Sequence, residues 1–261
     1  MKLISSDWWR APLRHGASRQ WHALAEALRR GKRLDDLQLR DEASLLGQDI
    51  AAFLQLSDPR AQRARAALGS MVMPAGTDWR WRPPMLCGPI SPAAIVGPEN
   101  GRHLGGEVAL WHDCAQHALL LRQVQNRRAT DLAAFGLRLE VMGFTGNYMS
   151  LSVEMPSEAA EGLGRDHILR LETVLQAERP ITVYGRLNLS QGPNTAQILR
   201  QLGHPIDTEP AHRVVEFDLA YADLALRPVE RVWLDLIFEA PRMNAMDLTD
   251  IVLSRHPRAQ I

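Results

Sequence analysis

Cysteine is nearly missing from this chain of 261 residues; Cys87 and Cys114 are the only two. Two thiols cannot make the disulfide framework that staples small secreted domains, and these two lack metal-binding spacing with each other. Lysine is as scarce, with Lys2 and Lys32 set among thirty Lys and Arg in total. Arginine suits bidentate recognition of carboxylate and phosphate, but codon bias in a GC-rich genome explains the preference without a partner. Net charge is absent too: thirty cations meet thirty anions, which excludes a global field steering the chain toward nucleic acid or an anionic membrane. The first 70 residues hold twelve Lys and Arg against eight Asp and Glu, an imbalance too small to name a partner. No apolar run approaches the length of a membrane span. The opening "MKLISSDWWRAPLRHG" reaches charges and a Trp pair before any long apolar region, unlike a secretory leader. The expectation is a soluble cytoplasmic protein with no membrane and no nucleic-acid partner.

Residues 1–70 read as a helical N-terminal section. An amphipathic helix over 18–30 starts at Ser18 as cap, presents Trp21, Leu24 and Leu28 on one face, and stops at Gly31. A second, about 35–56, repeats Leu39, Ala43, Leu46, Ile50, Phe53 and Leu54 at helical spacing, with Asp35 and Asp36 suited to its N-terminus. A third begins at Asp58-Pro59, a cap followed by proline in the first turn, and ends near Gly69. Residues 71–261 read as a β-sandwich domain, which opens with a Pro/Gly-rich wrapping segment over 71–106. Pro and Gly there limit any strand to a short or edge one, and Trp79 and Trp81 can share one side of such a strand.

After Gly106 the hydrophobic period becomes two. Strands are predicted over 107–112, 117–125, 135–142, 147–155, 167–176, 180–189, 213–221, 229–239 and 246–255, with "GFTGNY" as a loop. "GPNTAQILRQLG" reads either as a short helix capped by Thr195 or as a bent strand. Alternation with one apolar face suits antiparallel sheets whose inner sides meet a core. So many short strands without intervening long helices favour two packed sheets, a mainly β, jelly-roll-like antiparallel sandwich.

Alternation also lays out candidate binding rows. Tyr184, Arg186 and Asn188 leave one face of a strand at steps of about 7 Å, and Arg231, Trp233 and Asp235 form a similar row on another. An aromatic plate beside a planar cation and an amide or carboxylate suits a sugar, by stacking and by hydrogen bonds to hydroxyls. The competing explanation is a wet outer face whose charges pair across strands. "WHDCAQH" gathers His112, Asp113, Cys114 and His117, but an extended strand sends them to opposite faces, so no metal and no cofactor is expected. In "VVEFDLAY", Glu216 and Asp218 point the same way, as in the Glu-x-Asp-x-Glu of some jelly-roll glycosidases. Ala220 stands where the third acid would be, and Asp235 or Glu154 would have to complete the carboxylate pair from a neighbouring strand. "RRGKR", Arg29 to Arg33, sits where cations complement a helix C-terminus. A helix starting at Thr195 would also make "GPNT" an anion nest.

The segments "WHDCAQHALLLRQVQN", "GNYMSLSVEMP", "GRLNLSQGPNT", "VVEFDLAY" and "VWLDLIFEAP" followed by "DIVLSRHPRA" resemble an uncharacterised alphaproteobacterial family, a domain of unknown function, over about residues 105–261. That resemblance implies no activity, ligand or site residues. The closing strands are also similar in texture to galactose-binding-like jelly rolls, which implies a fold and not a function. The leading expectation is a non-catalytic binding protein for a carbohydrate or sugar-containing ligand. The alternatives are a glycoside hydrolase built on Glu216 and Asp218, and a protein-interaction module docking through its N-terminal helices.

Overall fold

The computed structural model describes residues 11–33 and 37–259. The chain divides into two compact units, Met1–Asp49 and Ile50–Ile261. The first holds helix α1 (Ala11–Arg29) and the start of α2 (Leu37–Ser57). α1 begins seven residues before Ser18, so Gly16 and Ser18 lie inside it rather than ahead of it. It ends where Gly31, at φ +80°, takes the left-handed conformation that closes a helix. Asp35, Asp36 and the Trp8-Trp9 pair lie outside the described residues. Along α2, Ile50, Phe53 and Leu54 of the apolar stripe are each more than half exposed. No helix among the described residues is long and apolar enough to cross a membrane.

The second unit is a sandwich of two antiparallel sheets with helix α3 (Pro59–Ser70) on it. Asp58 caps α3 by accepting from Arg60 N at 2.6 Å, with proline in the first turn. The Pro/Gly segment supplies only short pieces: β1 (Trp79–Trp81), the single-turn α4 (Pro84–Cys87), β2 (Ala94–Val96) and β3 (Arg102–Leu104). The long strands are β4 (Val108–His112), β5 (Leu119–Gln125), β6 (Phe135–Val141), β7 (Met149–Glu154), β8 (His167–Ala177) and β9 (Val183–Gln191). They continue with β10 (Asn194–Gln201), β11 (Ala211–Asp218), β12 (Arg231–Phe238) and β13 (Asn244–Pro257). One sheet runs β11-β8-β13-β6-β5-β2, with β1 paired to β13; the other runs β10-β9-β12-β7-β4-β3. The mainly β, jelly-roll-like antiparallel sandwich expected from alternation is what the chain forms. The ambiguous stretch after Gly192 is the strand β10, paired residue for residue with β9, so no helix N-terminus exists there to bind an anion.

Alternation determines what each sheet buries. Leu119, Leu121, Leu137, Leu139, Leu169 and Leu171 from one sheet share a single core with Leu110, Leu151, Leu187, Leu189, Leu234 and Leu236 from the other. Along β13 the inward parity shifts. Met246 and Leu248 face the core, a bulge follows between Leu248 and Asp250, and Ile251 and Leu253 face inward after it. The bulge turns Asp250 to the outer face, where Arg82 meets it with two bonds of 2.8 Å. The remaining guanidinium nitrogen, Nη1, donates to Ala64 O of α3 at 2.6 Å. Beside this tie, Ala61 and Ala64 of α3 pack on Cys87 of α4.

Candidate functional site

The two predicted rows lie side by side. β9 and β12 are neighbours, and their register sets Tyr184 opposite Ile237, Arg186 opposite Asp235 and Asn188 opposite Trp233. On the other side of β12, β7 sets Ser152 beside Asp235 and Glu154 beside Trp233. Beyond β7, β4 sets Ala109 beside Ser152 and Trp111 beside Ser150. Side chains of this parity all leave the outer face of the six-stranded sheet. Small residues at Ala109, Ser150 and Ser152 sink the middle of that face, and larger ones stand around them. The result is a groove of about 380 Å³ lined in part by Glu107, Trp111, Tyr148, Glu154, Arg231 and Trp233.

Trp111 and Tyr148 are each 43% exposed, so their rings are available rather than packed away; Trp233 is half-buried. Trp111 and Trp233 sit two strands and four residues apart, which puts their backbones about 16 Å from each other diagonally across β7. Local backbone sets the rim. Gly101, at φ +76°, lets the Trp111 ring lie close, since a Cβ there would stand 3.1 Å from two ring carbons. Tyr148 is held through its own N–H and those of Asn147, all donated to the Asp113 carboxylate at 2.7–3.1 Å. A Cβ at Gly146 would collide with that carboxylate.

The two arginines of the groove are paired off internally. Arg231 makes a bidentate ion pair with Glu154, both bonds 2.9 Å, while its guanidinium lies 5.6 Å from the centre of the Trp233 ring. Arg186 donates twice to Asp235 Oδ2, at 3.1 and 2.9 Å. Asn188, predicted to contact ligand, is 1% exposed and lies under the face. Its amide donates to the same Asp235 oxygen at 2.9 Å and accepts from Gln197 at 3.0 Å. Of the six predicted residues, Arg186, Arg231, Trp233 and Asp235 line the groove, Asn188 props Asp235 from below, and Tyr184 stands on the same face outside the lining. Sequence reasoning missed Trp111, Tyr148, Glu107 and Glu154 as lining residues, although the alternation of "EVALWH" and "NYMSLSVE" puts all four on one side.

The other sequence motifs have local occupations. His112 is buried, bonded to Pro98 O through Nε2 and to Cys114 N through Nδ1, and it meets His117 edge-on. Among the described residues no group of three or more His, Cys, Asp and Glu is placed to hold a metal. Glu216 is bonded by Arg170 at 3.2 Å. Asp218 caps the 3₁₀ turn Leu219–Tyr221 and pairs with Arg258 at 2.9 Å. Both lie on β11, in the sheet opposite the groove.

Asp113 thus has a positioning role, and its bond from Tyr148 N holds its carboxyl below the usual carboxylate range. The sign follows: loop order is present at neutral pH and is lost as pH falls through the lowered value. Asp113→Ala is expected to speed hydrogen exchange at the Asn147 and Tyr148 amides at pH 7, while the β8 and β13 amides keep their protection. Unchanged exchange at the two loop amides would refute the role.

A family of unknown function, DUF6478, matches residues 1–261, and the chain belongs to it. No curated protein matches. Solved structures that share the sandwich include a family 11 carbohydrate-binding module from Clostridium thermocellum in complex with a β-1,3-1,4-mixed-linked tetrasaccharide. It has 9% identity and a TM-score of 0.39, over 60% of this chain and 92% of that one. Others are a CBM22-1 xylan-binding domain from Paenibacillus barcinonensis (8%, 0.38, 64% and 94%) and a putative sugar binding protein from Bacteroides thetaiotaomicron (10%, 0.40, 60% and 91%). At such identities and scores these are likenesses of fold alone.

Proposed function

We propose that the outer face of the six-stranded sheet binds a neutral carbohydrate chain lying across β12, β7 and β4. One observation carries the reading: three accessible aromatic rings stand around a floor of small residues in a groove whose arginines are already neutralised by its own carboxylates. Aromatic faces offer stacking surface to sugar rings, and serine hydroxyls and paired polar groups offer hydrogen bonds. Because Arg186 and Arg231 are paired, an anionic ligand would have to displace Asp235 or Glu154. The separation of Trp111 from Trp233 suits an oligosaccharide rather than a single sugar. Non-catalytic binding fits the arginine pairing of Glu216 and Asp218. A cytoplasmic location remains part of the proposal, supported by two free, buried cysteines.

Electrophoresis through gels containing soluble polysaccharides tests it. Retardation by at least one of hydroxyethylcellulose, xylan and galactomannan is expected, with none by polygalacturonate. Retardation by polygalacturonate alone, or by no polymer, would refute the reading.

A protein-contact module is the second reading, favoured by the exposed Ile50, Phe53 and Leu54 of α2, since contiguous exposed apolar surface marks contact sites. Concentration-independent monomer mass, together with unaltered solubility when Phe53 is replaced by Ser, would count against it.

A further inference from the structure

Across the groove floor, Asp235 on β12 stands between Arg186 on β9 and Ser152 on β7. Its two oxygens have different surroundings. Oδ2 is saturated: Arg186 donates to it from Nε and Nη2, and Asn188 from its side-chain amide. All three donors come from β9, so the carboxyl turns Oδ2 toward β9 and Oδ1 toward the β7 side, where the serines sink the floor. No described residue donates to Oδ1. Nor is that oxygen sealed in. Among the described residues, the buried side-chain polar atoms without a partner are Arg122 Nε, Arg213 Nε and His256 Nε2 alone. An oxygen neither paired nor sealed, on a residue that lines the groove, opens into the groove. The same holds for Arg186 Nη1, which has no acceptor among the described residues and belongs to a side chain 37% exposed. The ion pair thus presents one acceptor and one donor from neighbouring strands.

We infer that Arg186 and Asp235 form a hydroxyl clamp that sets the specificity of the groove. Asp235 Oδ1 accepts the proton of a sugar hydroxyl, and Arg186 Nη1 donates to the oxygen of that hydroxyl or of its neighbour. The inference rests on the carbohydrate reading and adds what the ligand must carry: free hydroxyls on the sugar lying over β12. Trp233 is two residues away on the same face, about 7 Å along the strand, so a chain stacked on its ring passes over the clamp. A carboxylate accepts and does not donate. Ring and bridging oxygens, and hydroxyls capped by an ether or ester, have no proton to offer it. Covering Oδ1 with such a group strips its water and returns nothing, and that loss is large for a charged acceptor. A site built to bond a hydroxyl therefore rejects an analogue without one more strongly than an apolar pocket rejects an extra methylene. Asn188, itself bonded by Gln197 of β10, keeps the carboxyl from turning away from the groove.

The experiment adds two competitors to the polysaccharide gels: an oligosaccharide of the retarding polymer's own sugar units, and the same oligosaccharide with every hydroxyl O-methylated. For wild type, the methylated form should need a concentration at least about tenfold higher to relieve retardation. Methyl groups add bulk as well as removing protons, and Asp235→Asn separates the two effects. The amide keeps an oxygen for Arg186 and Asn188 and turns its N–H groups to the groove, a donor in place of an acceptor at the same shape. That variant should bind the unmodified oligosaccharide about tenfold more weakly. It should also lose most of the discrimination, because ether oxygens accept from an amide. A side chain that only braces the sheet would weaken both ligands alike and leave their ratio unchanged. A second readout needs no variant. Asn188 is 1% exposed and lies beneath Asp235, so nitrogen-15 NMR of its side-chain amide in wild type should register the unmodified oligosaccharide without touching it. Equal relief of wild type by both competitors leaves carbohydrate binding standing and overturns the clamp. So does an unchanged ratio in folded Asp235→Asn, or an Asn188 signal that stays fixed at saturation. Absence of retardation of wild type by every polymer removes the binding reading itself, and this inference with it.

Discussion

Arg82→Ala is expected to cost about 3–5 kcal/mol of stability, the range for removing one partner of a buried ion pair. The Arg82 side chain is fully buried and satisfies both oxygens of Asp250 while holding Ala64 O of α3. Its loss leaves a carboxylate inside the protein without a counter-charge and a helix carbonyl without its donor. The Asp250→Leu change should be nearly as damaging, because it strands the guanidinium. Replacing both together, Arg82→Met with Asp250→Leu, should recover much of the loss, since two apolar side chains need no partner. Urea unfolding of the four proteins measures this as a double-mutant cycle. A loss below about 1 kcal/mol for Arg82→Ala would place the pair among surface bridges of little weight, and the account of α3 as anchored through it would be wrong.

Trp233→Ala is expected to lower affinity for a bound polysaccharide by about thirtyfold or more, in keeping with the roughly 2 kcal/mol carried by a central aromatic in a binding surface. Its ring is half-buried in the groove with Arg231 against it, and the backbone beneath it pairs with β9 and β7 on both sides. The truncation therefore deletes a stacking plate and uncovers one face of the Arg231 guanidinium, which stays paired with Glu154, without opening the core. Thermal unfolding should move little, which separates lost contact from lost fold. Trp111→Ala should also weaken binding, chiefly of longer chains, because it lies at the other end of the diagonal. Equal affinity for wild type and Trp233→Ala, with the fold intact, would mean the ligand does not use this face.

Much of the sandwich was legible because a buried strand face announces itself every second residue. Val183, Leu187 and Leu189 on β9 and Val232, Leu234 and Leu236 on β12 needed only the period to be assigned inward. Pairing partners were not legible, and the site depends on them. Nothing along the chain says that Arg186 faces Asp235 or that Trp233 faces Glu154, since those neighbours are 49 and 79 residues apart in number and meet only through strand order. Asn188 misled for the same reason: its parity is outward, but Gln197 and Asp235 close over it from adjacent strands. Trp111 carries no signal beyond its parity, and it stands beside His112, Asp113 and Cys114, whose residue types point to metal chemistry instead. The bulge before Asp250 breaks the period itself, so the residue that anchors Arg82 could not be assigned a face by counting. "GPNTAQILR" satisfied both a helix and a strand pattern, and only the edge offered by β9 decided between them.

The tie through Arg82 bears on how short this protein can be made. A chain cut to begin at Met71 would keep every strand yet lose Asp58, Ala61 and Ala64, leaving Cys87 bare and one guanidinium nitrogen without its acceptor. One beginning at Asp58 would keep α3 with its cap and the carbonyl Arg82 requires. Trimming for crystals or for a sugar-capture reagent should therefore spare residues 58–70 and treat them as the sandwich's own outer wall.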